Sequence, residues 1–220
     1  GGEIVVPGER LGKNKIYNSN GPMLEALLKS DGICPYLLGI AKDNKEELKK
    51  KIRIGLQSDI LLISGGVSMG DYDLVPEALR SLGVQKIFHK VNIKPGKPLF
   101  FGVKDKTIVF GVPGNPVSNF VTYLIFIRAS LYKAMGYARF GIQPKEGILM
   151  TEFCSKAGRK HFVPIEIKKE KNQYCLKPVS SHGSADILSL SRADGFMIVG
   201  ADQPALRKKS KVNFVTWKKI

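Results

Sequence analysis

Apolar positions recur along this chain with two different periods, and the change near residue 140 divides it. Up to about Gly136 helical stripes alternate with short apolar runs, whereas from Gly147 onward brief runs alternate in polarity between turn residues. Leu24, Leu27 and Leu28 form a stripe behind Pro22, which suits a first helical turn. Glu25 and Lys29 make an i,i+4 pair on that helix, and Asp31-Gly32 closes it. A strand is predicted over 33–38. Asp43 and Glu46 have the spacing of a capping box ahead of a helix carrying Leu48, Ile52 and Leu56. The runs 59–63 and 107–110 read as buried parallel strands, each leading through a glycine-rich loop into a helical pattern. Between them the pattern predicts a helix over 74–82, an extended stretch over 84–93, and a hairpin that turns at Lys104-Asp105-Lys106. The helix over 117–135 is apolar on most sides, which predicts burial.

Gly141 and Pro144 break the pattern at 137–146. Strands are then predicted over 147–153, 161–168, 174–178, 195–199 and 212–217, with the spacing of a small barrel or sandwich. The expected architecture is therefore α/β. A three-layer domain with a mostly parallel sheet covers 1–140, and a small all-β, barrel-like domain covers 146–220.

Composition narrows the partners. The chain has 220 residues and no uninterrupted apolar run of the roughly 18 residues a membrane span needs, and its first residues carry no signal-peptide pattern. The expectation is a soluble protein with no membrane partner. Cys34, Cys154 and Cys175 lack any C-x-x-C spacing, which argues against a disulfide framework or a zinc knuckle and for a reducing, cytoplasmic setting. The net charge of +16 is spread over both halves, and its densest runs have no interleaved aromatics. That pattern reads as solvated surface rather than a nucleic-acid site, while still drawing in a polyanionic small molecule.

The chemistry concentrates in three segments. Ser64-Gly65-Gly66-Val67-Ser68-Met69-Gly70-Asp71-Tyr72-Asp73 and Gly111-Val112-Pro113-Gly114-Asn115-Pro116-Val117-Ser118 each follow a strand and precede a helix; Lys94-Pro95-Gly96-Lys97-Pro98 lies between them. Glycines let a backbone approach an oxyanion, amide N–H groups donate to it, and a following helix end favours negative charge. The prolines around Gly114-Asn115 stiffen that loop, and Lys90, Lys94 and Lys97 offer positive charge. Asn115 and Ser118 also have the ordinary reading of helix caps, as does Asp43. His89 reads as structural, because His161 and His182 show no ligand spacing with it. Neither G-x-S-x-G, G-x-G-x-x-G nor a Walker loop is present.

With Gly2-Glu3-Ile4, Pro7-Gly8, Ile16-Tyr17-Asn18-Ser19-Asn20, Gly39-Ile40-Ala41-Lys42-Asp43 and Ile93–Pro98 added in the same order, the chain resembles the molybdopterin molybdenumtransferase family, of the MoeA and gephyrin E-domain type. The resemblance implies a C-terminal portion lacking two N-terminal domains and the first strand of the molybdopterin-binding domain. It implies insertion of molybdate into adenylylated molybdopterin with release of AMP, dependent on Mg²⁺, in a homodimer of the full-length form. Carried onto this sequence, it implies catalytic roles for Glu3, Asp43, Asp73, Lys90 and Lys94, with Glu3, Asp43 and Asp73 as metal ligands. Substrate contacts fall on Ser64, Gly65, Gly66, Ser68, Lys97, Pro113, Gly114, Asn115, Pro116 and Ser118, and more loosely on Arg159 and Ser184. A non-catalytic molybdopterin-binding or scaffolding module is the alternative, since full-length members complete their cleft with residues from a partner's N-terminal domain.

Overall fold

The computed structural model describes residues 2–67, 74–155, 158–203 and 205–218. They pack as two compact units, one of Gly1–Val91 with Pro98–Tyr123 and the other of Asn92–Lys97 with Leu124–Ile220.

In the first unit β1 (Ile4–Val5) and β2 (Ile16–Tyr17) pair in parallel, followed by α1 (Asn20–Ser30) and α2 (Lys45–Gly55). Then come β3 (Ile60–Ser64), α3 (Leu74–Ser81) and β4 (Gln85–His89). The chain makes β5 (Ile93–Lys94) in the second unit and returns for β6 (Phe100–Lys104), β7 (Thr107–Val112) and α4 (Pro116–Thr122). The four-stranded sheet runs β3-β7-β6-β4. Leu48 and Ile52 of α2 join Val75, Ala78 and Leu79 of α3 over Leu61, Phe100 and Val109 of the sheet in one apolar cluster. Helix α4 packs on β7, and α1 on α4. Tyr123 ties the end of that packing together by donating its hydroxyl to Asp31 Oδ2 at 2.6 Å.

Three expectations need correction here. The sheet is mixed rather than mostly parallel, because only β3–β7 is parallel while β6–β7 and β4–β6 are antiparallel. The tight turn at Lys104–Thr107 forces this, since a hairpin can only reverse direction. Residues 33–42 take no regular secondary structure, so the predicted strand is missing. Pro35 has no N–H to give a ladder, and Tyr36 and Leu37 are exposed rather than facing a core. The cap of α2 is Asn44, one residue past Asp43: its backbone is extended, and its Oδ1 accepts from the amides of Glu46 and Glu47 at 2.9 and 3.1 Å.

The long predicted helix crosses from one unit to the other. A π-type turn at Tyr123–Ile127 separates α4 from α5 (Arg128–Ala134). The second unit continues with β8 (Lys145–Leu149), β9 (Phe153–Cys154), β10 (Lys160–Glu170), β11 (Gln173–Pro178), α6 (Ile187–Arg192), β12 (Gly195–Val199), β13 (Ala205–Leu206) and β14 (Lys211–Thr216). The order β11-β8-β14-β12-β10, closed by pairing of β10 with β11, makes a five-stranded barrel. Its interior holds Leu149, Val163, Ile165, Leu176, Met197, Val212 and Phe214. Strand β5 adds to the end of β10 in parallel. Helix α6 has no counterpart in the sequence reading; Asp186 caps it through Ser189 N.

Candidate oxyanion-binding site

The first unit brings two of the glycine loops together at the ends of β3 and β7. Gly65 N donates to Val112 O at 2.9 Å, and a Cβ placed on Gly114 would lie 3.6 Å from Gly65 Cα. Gly65 and Gly66 both have positive φ, +85° and +64°, a left-handed backbone that a side chain would strain. Ser64 is exposed above this crossing. Beneath it lie two asparagines. Asn20 Nδ2 donates to Ser64 Oγ at 3.0 Å and to Gly114 O at 2.7 Å, and Asn119 Nδ2 donates to Ser64 Oγ at 2.9 Å and to Pro113 O at 3.3 Å. Their Oδ1 atoms are buried and find no donor among the described residues. Each such orphan costs about 1–3 kcal/mol, so the pair is not there for stability alone. His89 supports the loop's base: its Nε2 lies 2.7 Å from Val67 O, so that nitrogen carries the proton, and its ring meets Phe100 edge-on.

Among the predicted contacts, Gly114 and Asn115 are exposed, Pro116 opens α4, and Pro113 and Ser118 are buried. Asn115 sits at the N-cap of α4 without a side-chain capping bond. Lys90 lies just past the end of β4 at His89, with φ +94°. Ser68 and Asp73 lie outside the described residues.

Lys94 and Lys97 belong to the second unit, where the charges of Lys94 and Arg159 both bear on His161. Ile93 and Lys94 pair with Lys160 and His161, and Arg159 Nη1 reaches Ile93 O at 3.5 Å. Burial, then the charges of Lys94 and Arg159, push the pKa of His161 down to about 4. His161 Nδ1 lies 2.6 Å from Ser155 Oγ. Ser184 sits half-buried in the turn that Asp186 organises by accepting from His182 N at 3.1 Å.

Glu3 and Asp43 come from neighbouring segments, for Gly2 N donates to Asp43 Oδ2 at 2.6 Å while Lys15 Nζ donates to Gly2 O. Asp43 is thus turned toward the β1 segment rather than spent on a helix cap. Among the described residues no three His, Cys, Asp or Glu side chains are grouped to hold a metal.

Glycine crossings under an exposed hydroxyl, joined in one chain to a closed barrel, define an α/β protein with an appended β module. Comparison with known proteins gives that class a family. Residues 3–133 match the family described as "Probable molybdopterin binding domain", and residues 146–217 match the MoeA C-terminal region (domain IV). The chain belongs to the molybdopterin-binding family and carries the MoeA-type C-terminal region behind it. It is 39% identical to a molybdopterin molybdenumtransferase of Nostoc over 90% of this chain and 47% of that one. A Synechocystis molybdopterin molybdenumtransferase is 29% identical over 99% and 54%. The crystal structure of the molybdopterin biosynthesis MoeA protein from Pyrococcus horikosii superposes with a TM-score of 0.85 at 29% identity, covering 100% of this chain and 53% of that one. The chain spans about half the length of the relatives it matches.

Proposed function

We propose that this chain serves molybdenum cofactor biosynthesis as part of a molybdopterin molybdenumtransferase, handling adenylylated molybdopterin and molybdate with release of AMP. The observation that carries the reading is the crossing of Ser64-Gly65 with Gly114, an oxyanion cradle lying within the segment that matches the molybdopterin-binding family. Amide and hydroxyl donors fixed before a ligand arrives stabilise negative charge on phosphate or molybdate oxygens without reorganising. Within the second unit Lys94, Lys97 and Arg159 offer positive charge of their own, Arg159 as a planar fork suited to phosphate.

Mg²⁺ belongs to the same proposal. It takes hard oxygen ligands, commonly one or two carboxylates with substrate oxygens, and Glu3 and Asp43 offer carboxylates from adjoining segments. Asp73 completes the proposed set. When bound, the ion would polarise phosphoryl oxygens and let carboxylates face an anionic substrate. The proposal includes a cytoplasmic homodimer of the full-length form, with residues 1–140 binding the pterin and 146–220 forming the β portion.

The test is to incubate the chain with adenylylated molybdopterin, Mg²⁺ and molybdate while following AMP, alone and as part of a full-length relative. Release by either form, falling at least tenfold in Asp43→Ala, supports the transferase and the metal assignment. Tight molybdopterin binding without AMP from either form would instead make this a binding module.

A further inference from the structure

We infer that Asn20 and Asn119 are positioning residues that force Ser64 to act as a hydrogen-bond donor, making the cradle selective for groups that only accept. The inference rests on the oxyanion reading of this site and follows from counting protons. Gly114 O and Pro113 O can only accept, so the Nδ2 atoms, not the Oδ1 atoms, of Asn20 and Asn119 must face them. Those same Nδ2 atoms reach Ser64 Oγ at 3.0 and 2.9 Å. A hydroxyl has two lone pairs and one proton; both lone pairs are thereby engaged from below. The proton points away from the asparagines, on an exposed residue, and no acceptor takes it among the described residues.

A fully ionised tetrahedral oxyanion has only acceptors to offer and completes this arrangement. A ligand that presents an N–H or an ammonium group there meets a proton instead of a lone pair. The two orphaned Oδ1 atoms fit the same account: each amide is oriented by its donors, at the expense of its acceptor.

Sulfate is the probe, because it stays a dianion across the working pH range and so separates hydrogen bonding from ligand protonation. Calorimetry on the whole chain is expected to show binding that falls at least tenfold in Ser64→Ala and stays within about threefold in Ser64→Thr, which keeps the hydroxyl. Asn20→Asp replaces a donor by an acceptor and turns the Ser64 proton inward. Its loss should also be at least tenfold in the native background but markedly smaller in Ser64→Ala. Asn119 is fully buried and its Asp variant risks not folding, so the half-buried Asn20 carries the test.

Equal losses from Asn20→Asp in both backgrounds would mean simple charge repulsion and overturn the positioning role. Unchanged sulfate affinity in Ser64→Ala, with the native chain binding, would overturn this inference and leave the wider oxyanion reading standing. No sulfate binding by the native chain would remove both.

Discussion

His161 is held neutral by its surroundings, and this has a direction in pH. Its folded pKa of about 4 lies below the ordinary 6.5, so between these values the unfolded chain binds the proton and the folded one does not. The contribution of His161 to stability is therefore complete above about pH 6.5 and is lost as pH falls toward 4. Urea unfolding at pH 7, 5.5 and 4 should show a steeper loss of stability for the native chain than for His161→Gln over that window. Parallel curves would show that neither burial nor the charges of Lys94 and Arg159 lower the ring's pKa. At the same scale, Ser64, Gly65 and Gly114 are legible in the sequence because their chemistry is local: a strand end, a glycine pair, a proline-flanked turn. Asn20 and Asn119 are not, since they reach Ser64 across 44 and 55 positions and no spacing rule encodes such a meeting.

Helix α2 shows how one position separates two jobs. Asn44 closes the helix with two amide bonds, while the adjacent Asp43 faces Gly2. Asn44→Ala should therefore cost about 1 kcal/mol of folding free energy, and Asp43→Ala less than half of that, read from denaturant midpoints. If Asp43→Ala were the costlier change, the carboxylate would be a structural group and its proposed metal role would weaken. The elements themselves divide along the same line of local against distant causes. Strands β10, β11, β12 and β14 fall close to where the apolar runs place them, but only β14 keeps much of the expected alternation, since 162–165 of β10 and 195–197 of β12 are buried on both faces. The run 33–38 lends Leu38 to the apolar cluster but leaves Tyr36 and Leu37 exposed, and Pro35 sits in its middle. The buried helix from 117 onward is legible as apolar, but not its π-type turn, which alters the hydrogen-bond step without altering hydropathy.

Across the whole molecule, positive charge exceeds negative by 16, and no single run accounts for it. A field of this kind raises the rate of encounter with dianions and is screened over about 10 Å at 0.1 M salt. Sulfate affinity should fall several-fold between 50 and 300 mM sodium chloride. Affinity indifferent to salt would assign recognition to the amides and the Ser64 hydroxyl alone.

Both units are discontinuous in sequence, because residues 92–97 are lent to the barrel before the chain goes back to finish the α/β unit. No single truncation can then yield either one intact. A product starting at Leu124 keeps every strand of the closed barrel but bares the end of β10 at Lys160–His161, a raw edge open to pairing with another molecule. Whoever borrows that module as a stand-alone scaffold must graft the missing peptide back, as a tail or in trans.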